Sequence, residues 1–209
     1  MRNIILSPHY DDAVFSCFNK LNDPKTLVIN LFTGIPNKNK YTLWDLICGQ
    51  PNSNKMMLKR KKENALVLNK LECYYLDLDF LDNQYEKNKD TNLILKTLLS
   101  KLKKGDVIYA PMAESKIYKH PDHLITNQIA RKLSKLGYEV YFYADLPYMK
   151  IHHSIANVKL DKLETRTKLK YASQYKSQYK ATNITSFGLL NRSIKSGLER
   201  IEKLENNYS

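Results

Sequence analysis

The sequence is poor in the residues that announce several common protein classes. Its 209 residues hold three cysteines, Cys17, Cys48 and Cys73, an odd number with wide spacing. No CxxC pair occurs, so neither a disulfide framework nor a cysteine zinc site is expected, and the thiols read as buried or free. Glycine numbers only six. Neither GxGxxG nor a P-loop is present, which leaves dinucleotide and P-loop binding without their backbone cradle. No run of eighteen apolar residues exists, which argues against a helical membrane span. The opening MRNIILSPHYDD has an apolar stretch too short for a signal peptide, broken by Pro8 and two acids. The chain is therefore expected to keep its first residues and to work in the cytoplasm.

Arginine is scarce as well. It supplies six of the 34 basic residues, against 21 acidic ones, in a chain of net charge +13. Lysine is a hydrated point charge, whereas arginine is the usual fork for bases and phosphates. The lysines are spread along the whole chain, so the charge reads as a solvated surface and nucleic acid is not the expected partner. The alternative from a different class is a basic module for nucleic acid or an anionic polymer. Steeply salt-dependent oligonucleotide binding without metal would mark it.

What is present is an α/β rhythm. The hydrophobic fraction of 43% suits a soluble globular protein, and the length suits one domain over 1–209. Apolar, β-rich runs occur at 3–6, 26–32, 73–78, 106–110 and 138–143. Helical spacing of apolar residues covers 59–70, 92–102 and 124–136 between them. Strand, helix, strand in this order predicts a mainly parallel sheet flanked by helices. Ligands of such sheets sit beyond the carboxyl ends of the strands. Residues 34–54 have the turn residues of a long loop, a candidate lid or binding loop anchored by Trp44 and Leu46. In the tail, Tyr171, Tyr175 and Tyr179 have the spacing of one helical face. Residues 191–205 read as a terminal amphipathic helix with Ile194, Leu198, Ile201 and Leu204 on one stripe.

Two short segments carry the chemistry. SPHYDDAV, residues 7–14, follows the first strand. By itself it is ambiguous, since Asp11 or Asp12 also suits the N-cap of a helix starting near Ala13. KHPDHLI, residues 119–125, lies on the carboxyl side of a later strand, with Pro121 suited to a first helical position and His120 to its cap. Together, His9, Asp12 and His123 supply two imidazoles and one carboxylate, a donor set that leaves open positions on a divalent metal. Asp11 is left as a carboxylate able to take a proton from water, and His120 as a donor to a developing oxyanion. The same donor set suits ferrous iron, so zinc, iron and cobalt stay open, as does cleavage of another bond such as a phosphoester. Asp145 suits either a partner to a histidine or a loop cap. The adjacent His152 and His153 read as surface residues. Arg60 suits a pair with Glu63 on its own helix, and Asp82 an ordinary turn.

These segments resemble the LmbE-like (PIG-L) de-N-acetylase family. SPHYDDAV matches a variant of its first motif, and HPDH at 120–123 its HxDH motif. RKKENALVLNKL at 60–71 is similar to the family's R-x-x-E helix, LDLDFLDNQY at 76–85 to the acidic loop after its third strand, and YASQ or YKSQ near 171–178 to its C-terminal helix. The resemblance implies a Rossmann-like three-layer α/β fold and removal of an N-acetyl group from an amino sugar or its conjugate. It implies a zinc-type metal on His9, Asp12 and His123, with Asp11 as base and His120 as oxyanion partner or acid. It also implies that Arg60 and Asp82 contact the sugar. The chain departs from the family at Tyr10, Ala13 and Lys119, where proline, glutamate and glycine are frequent. Tyr118 and Lys119 make a bulky, basic approach to the second motif, suited to narrowing the pocket or meeting an anionic substrate. A small-molecule substrate is thus the expected partner, and a homo-oligomer is compatible with the sequence.

Overall fold

The structure, a computed structural model, describes residues 1–114 and 119–205. The chain opens with β1 (Asn3–Ser7), α1 (Asp12–Ser16), α2 (Phe18–Leu21) and β2 (Thr26–Asn30). Then come α3 (Leu43–Ile47), α4 (Ser53–Lys70), β3 (Tyr74–Asp77), α5 (Thr91–Leu99) and β4 (Val107–Pro111). α6 (Pro121–Lys135), β5 (Glu139–Tyr143), β6 (Val158–Lys159) and α7 (Lys162–Ala172) follow. The chain closes with α8 (Tyr179–Thr185), α9 (Leu189–Ser196), β7 (Leu198–Glu199) and β8 (Ile201–Lys203).

Six strands form one sheet in the order β3-β2-β1-β4-β5-β8, and β8 alone runs antiparallel. This is the expected mainly parallel, helix-flanked α/β fold. The strand order reverses at β1, whose neighbours are β2 and β4. A crevice therefore opens beyond the carboxyl ends of β1 and β4, the place where such sheets bind ligands. Both motifs emerge there.

Strand alternation sends side chains to two cores. Ile4 and Leu6 join Ile29, Ile108 and the α5 and α6 residues Ile94, Leu98, Ile129 and Leu133 on one face. Ile5 and Val28 join Val14, Phe15, Leu68, Tyr175 and Ile194 on the other. Helices thus cover both faces, which is why the strands read as near-continuous apolar runs.

Four expectations need correction. The terminal helix stops at Ser196, because Gly197 adopts φ 67° and a Cβ there would lie 2.4 Å from Thr165 Oγ1. Beyond it, Leu198 pairs with β6, while Ile201 joins the sheet edge beside Tyr143. Ile194, Leu198 and Ile201 are all buried, but on a helix and two short strands rather than one stripe.

The tyrosine spacing of four is also not one helical face. α7 ends at Ala172, and a turn intervenes before α8. The Glu63 carboxylate of α4 accepts from Ser177 N at 3.1 Å, which ties that turn to the body of the protein. Tyr175 and Tyr179 nevertheless meet the same partner, their rings 5.9 and 6.2 Å from that of Phe15.

Finally, the 34–54 segment contains α3, and its anchor is not Leu46, which is 58% exposed. The anchor is Asp45, fully buried and gripping Arg60 Nη2 at 3.0 Å and the Tyr85 hydroxyl at 2.5 Å. The Arg60–Glu63 pairing is absent: Arg60 belongs to Asp45 and Glu63 to Ser177.

Candidate active site

The first motif is shaped by backbone contacts. Leu31 N donates to Ser7 O and Phe32 N to Pro8 O, both at 2.9 Å, so the extension of β2 holds the turn after β1. Asp12 Oδ2 accepts from His9 N at 2.8 Å and closes the turn. Asp11 is the N-cap residue of α1, yet its side chain makes no capping bond. The capping explanation for Asp11 therefore fails, and a carboxylate that is only 5% exposed needs another use.

The second motif is a helix start. His120 is the N-cap of α6 and Pro121 opens the helix. His120 Nδ1 accepts from Asp122 N at 3.3 Å, so the ring proton sits on Nε2. One turn on, His123 is fully buried. The rings of His9 and His120 meet edge to face at 4.7 Å, and those of His9 and His123 lie 5.4 Å apart. The two motifs, more than a hundred residues apart in sequence, form one cluster.

Three features of the cluster bear on a metal. Ligand atoms of His9, Asp12 and His123 lie within 4.8 Å of one another. His123 Nδ1 contacts Asp145 Oδ2 at 3.0 Å, while its buried Nε2 lies 3.4 Å from Asp12 Oδ1 with no hydrogen-bond partner among the described residues. His9 Nε2 contacts Asp122 Oδ2 at 3.2 Å, leaving Nδ1 toward Asp12, also at 3.2 Å. Each histidine thus has one nitrogen held by an outer carboxylate and the other turned inward, the arrangement by which proteins orient metal-ligating imidazoles. The residues fit a divalent ion.

The paired aspartates are pushed in opposite directions. Burial, then the neighbouring Asp12 charge, raises the Asp11 carboxyl to about 7. Burial also acts to raise Asp12, but His123 and His9 outweigh it and hold that carboxyl below the usual range. His123 is raised to about 9, since Asp12 and Asp145 overcome the opposing effect of burial. His120 is lowered to about 3 by burial and then by His9 and His123, so its imidazole is neutral. Two adjacent carboxyls held in different protonation ranges can divide acid–base work from charge stabilisation.

The remaining expected residues scatter. Asp82 lines the cavity and lies 3.8 Å from His9 Nε2, but it also caps its own turn by accepting from Gln84 N. Arg60 is 2% exposed and stands behind Asp82 at 3.9 Å, outside the cavity lining. Tyr118 lies outside the described residues, next to the exposed Lys119. His152 and His153 are exposed, as surface residues should be.

Sequence reasoning missed two residues. Asp122, fully buried, accepts from Asn83 N and holds His9, and Lys89 Nζ stands 3.4 Å from its Oδ1. Its position inside HPDH was the available signal. Lys89, buried over the Phe32 ring, had none.

The cavity encloses about 560 Å³ and is lined at its buried end by His9, Asp11, Asp12, Asp82 and His120. A switch-point crevice in an open α/β sheet, with histidines and carboxylates converging at its base, has the makings of a metal-assisted enzyme site. The chain belongs to the PIG-L family: the family model, GlcNAc-PI de-N-acetylase, matches residues 4–134. No curated protein matches it. Among solved structures, a deacetylase of the teicoplanin biosynthetic pathway is 20% identical, with TM-score 0.80 and 100% of each chain covered. The N,N'-diacetylchitobiose deacetylase of Pyrococcus horikoshii is 15% identical, with TM-score 0.60, covering 96% of this chain and 83% of its own. The 4-carboxy-2-hydroxymuconate hydratase of Pseudomonas putida is 14% identical, with TM-score 0.63, covering 100% and 98%. At these identities the likeness establishes the fold. No helix among the described residues is long and apolar enough to cross a membrane.

Proposed function

We propose that residues 1–209 act as one metal-dependent N-deacetylase domain, removing the acetyl group from an N-acetylated amino sugar or its conjugate in the cytoplasm. The family match supports the reaction. The observation that carries it is the buried donor set of His9, Asp12 and His123 with the uncommitted Asp11 carboxylate beside it. The fold alone does not select this chemistry, since a hydratase shares it.

His9, Asp12 and His123 would hold zinc, or iron or cobalt in its place. A divalent ion there would acidify water and polarise an acyl carbonyl. Asp11 takes the proton of the attacking water as the new C–O bond forms. His120 donates from Nε2–H to the carbonyl oxygen as it gains charge. The C–N bond then breaks, and the proton held by Asp11 passes to the departing amine, giving acetate and the free amino sugar. Asp82 contacts the sugar. Arg60 acts from behind Asp82. Lys168, buried and paired, and the scattered surface lysines take no part, so nucleic acid is not a partner in this reading.

The test is a panel of N-acetylated sugars incubated with metal-loaded protein, with acetate release as readout. Acetate from at least one member, abolished by a chelator and restored by zinc, is expected. No release across the panel from metal-replete protein refutes the reading.

A further inference from the structure

One buried cation beside the site takes no part in the reaction as derived. The segment 81–89, between β3 and α5, brings Asp82, Asn83, Gln84 and Lys87 to the cavity wall. Lys89 closes this segment on itself: its Nζ donates to Leu81 O, and to Glu86 O at 3.2 Å. The same Nζ stands 3.4 Å from Asp122 Oδ1 and 4.6 Å from the centre of the Phe32 ring. The Lys89 side chain is only 3% exposed. Lysine is almost never taken so far out of water unless it is paired.

The two oxygens of Asp122 have different duties. Oδ2 meets His9 Nε2 at 3.2 Å and accepts from Asn83 N at 2.9 Å. Oδ1 has no hydrogen-bond partner among the described residues, and the cation facing it is Lys89. The carboxylate is fully buried, and a buried charge is costly unless it is paired. Without the ammonium, rotation of Oδ1 toward water relieves that cost. The same rotation draws Oδ2 off His9, which then loses the contact that leaves its Nδ1 facing Asp12. Closing the loop, by contrast, needs only a donor for two carbonyls. The charge of Lys89 is used at Asp122.

We infer that Lys89 is a positioning residue for the metal centre: its ammonium fixes the Asp122 carboxylate, and through it the His9 imidazole. Lys89 touches neither metal nor substrate in this role. The inference rests on the deacetylase reading for its metal site, and not for its substrate.

A double-mutant cycle on zinc affinity tests it, read by chelator competition on the full chain. Circular dichroism and the melting temperature of each metal-free variant report folding. Lys89→Met is expected to weaken zinc binding at least about tenfold, the scale of a lost partner to a ligating histidine. Asp122→Asn has no charge to balance. In that background Lys89→Met is expected to change affinity by less than about twofold, the scatter of uncoupled sites. Lys89→Gln keeps a donor for the carbonyls without the charge. It is expected to lose zinc affinity as Lys89→Met does, and it carries the cycle if the methionine variant does not fold. Wild-type affinity in either folded variant, or an equal loss in both backgrounds, makes Lys89 a loop fastener and overturns the inference. Acetate release from N-acetylglucosamine at saturating zinc is measured in parallel. The expected cycle with no acetate even from the wild type upholds the positioning role and counts against the deacetylase reading alone. A wild-type protein that binds no zinc overturns both.

Discussion

Replacing Asp145 with asparagine separates a metal-positioning role from a loop-capping one. The wild-type carboxylate serves two donors: Oδ2 lies 3.0 Å from His123 Nδ1, and Oδ1 accepts from Ala113 N at 2.9 Å. The site is 2% exposed, so water does not replace a lost partner. Asparagine has one acceptor where aspartate has two. If the amide oxygen stays on Ala113 N, its NH2 group faces His123 Nδ1 and drives the ring proton to Nε2, the atom that would ligate. If the amide turns round, Ala113 N is left facing a donor, at a cost of about 1–3 kcal/mol in stability. Loss of an outer partner to a ligating histidine costs about 10- to 100-fold in metal affinity, which is about 1.4–2.8 kcal/mol. Zinc affinity measured by chelator competition, beside urea denaturation of the metal-free protein, resolves the two. The expected result is at least a tenfold loss of affinity, on the same scale. Unchanged affinity, whatever happens to stability, refutes the positioning role and leaves Asp145 a loop cap.

Asp11→Asn should retain metal and lose turnover, because an amide cannot accept a proton from water, whereas Asp12→Asn should lose metal; the opposite pattern in metal analysis would reverse the two roles. His120→Ala should keep metal and KM while lowering kcat by roughly a hundred- to a thousandfold, the scale of a lost oxyanion donor; near-normal turnover in His120→Asn would reduce the residue to a helix cap. Lys168 and Glu199 form a fully buried pair at 2.7 Å, and Glu199 also accepts from Phe18 N at 2.9 Å. Lys168→Met should therefore cost about 3–5 kcal/mol in urea denaturation by stranding the carboxylate, and adding Glu199→Gln should recover part of the loss; a stable single variant would contradict the burial argument.

Much of this molecule was legible because its signals are local. Five apolar runs read as strands, and all five pair in parallel in the sheet, since alternation and β-rich composition depend only on neighbours. The two motifs were legible for the same reason, and Pro121 marked the start of α6 without help from the rest of the chain. Gly197 was a readable stop signal that the apolar stripe around it concealed, because burial on a helix and burial on two short strands leave a similar pattern of leucine and isoleucine. What only tertiary structure decided is which partner each charged side chain meets. His9 meets Asp122 across 113 residues, and Glu63 meets Ser177 across 114. Arg60 turned to Asp45 instead of Glu63 because chain folding brought α3 against α4 and buried that carboxylate, which cannot be left unpaired away from water. The residue types suited to a metal site are thus written in two short segments. The partners that orient them are set by burial, which has no local signature.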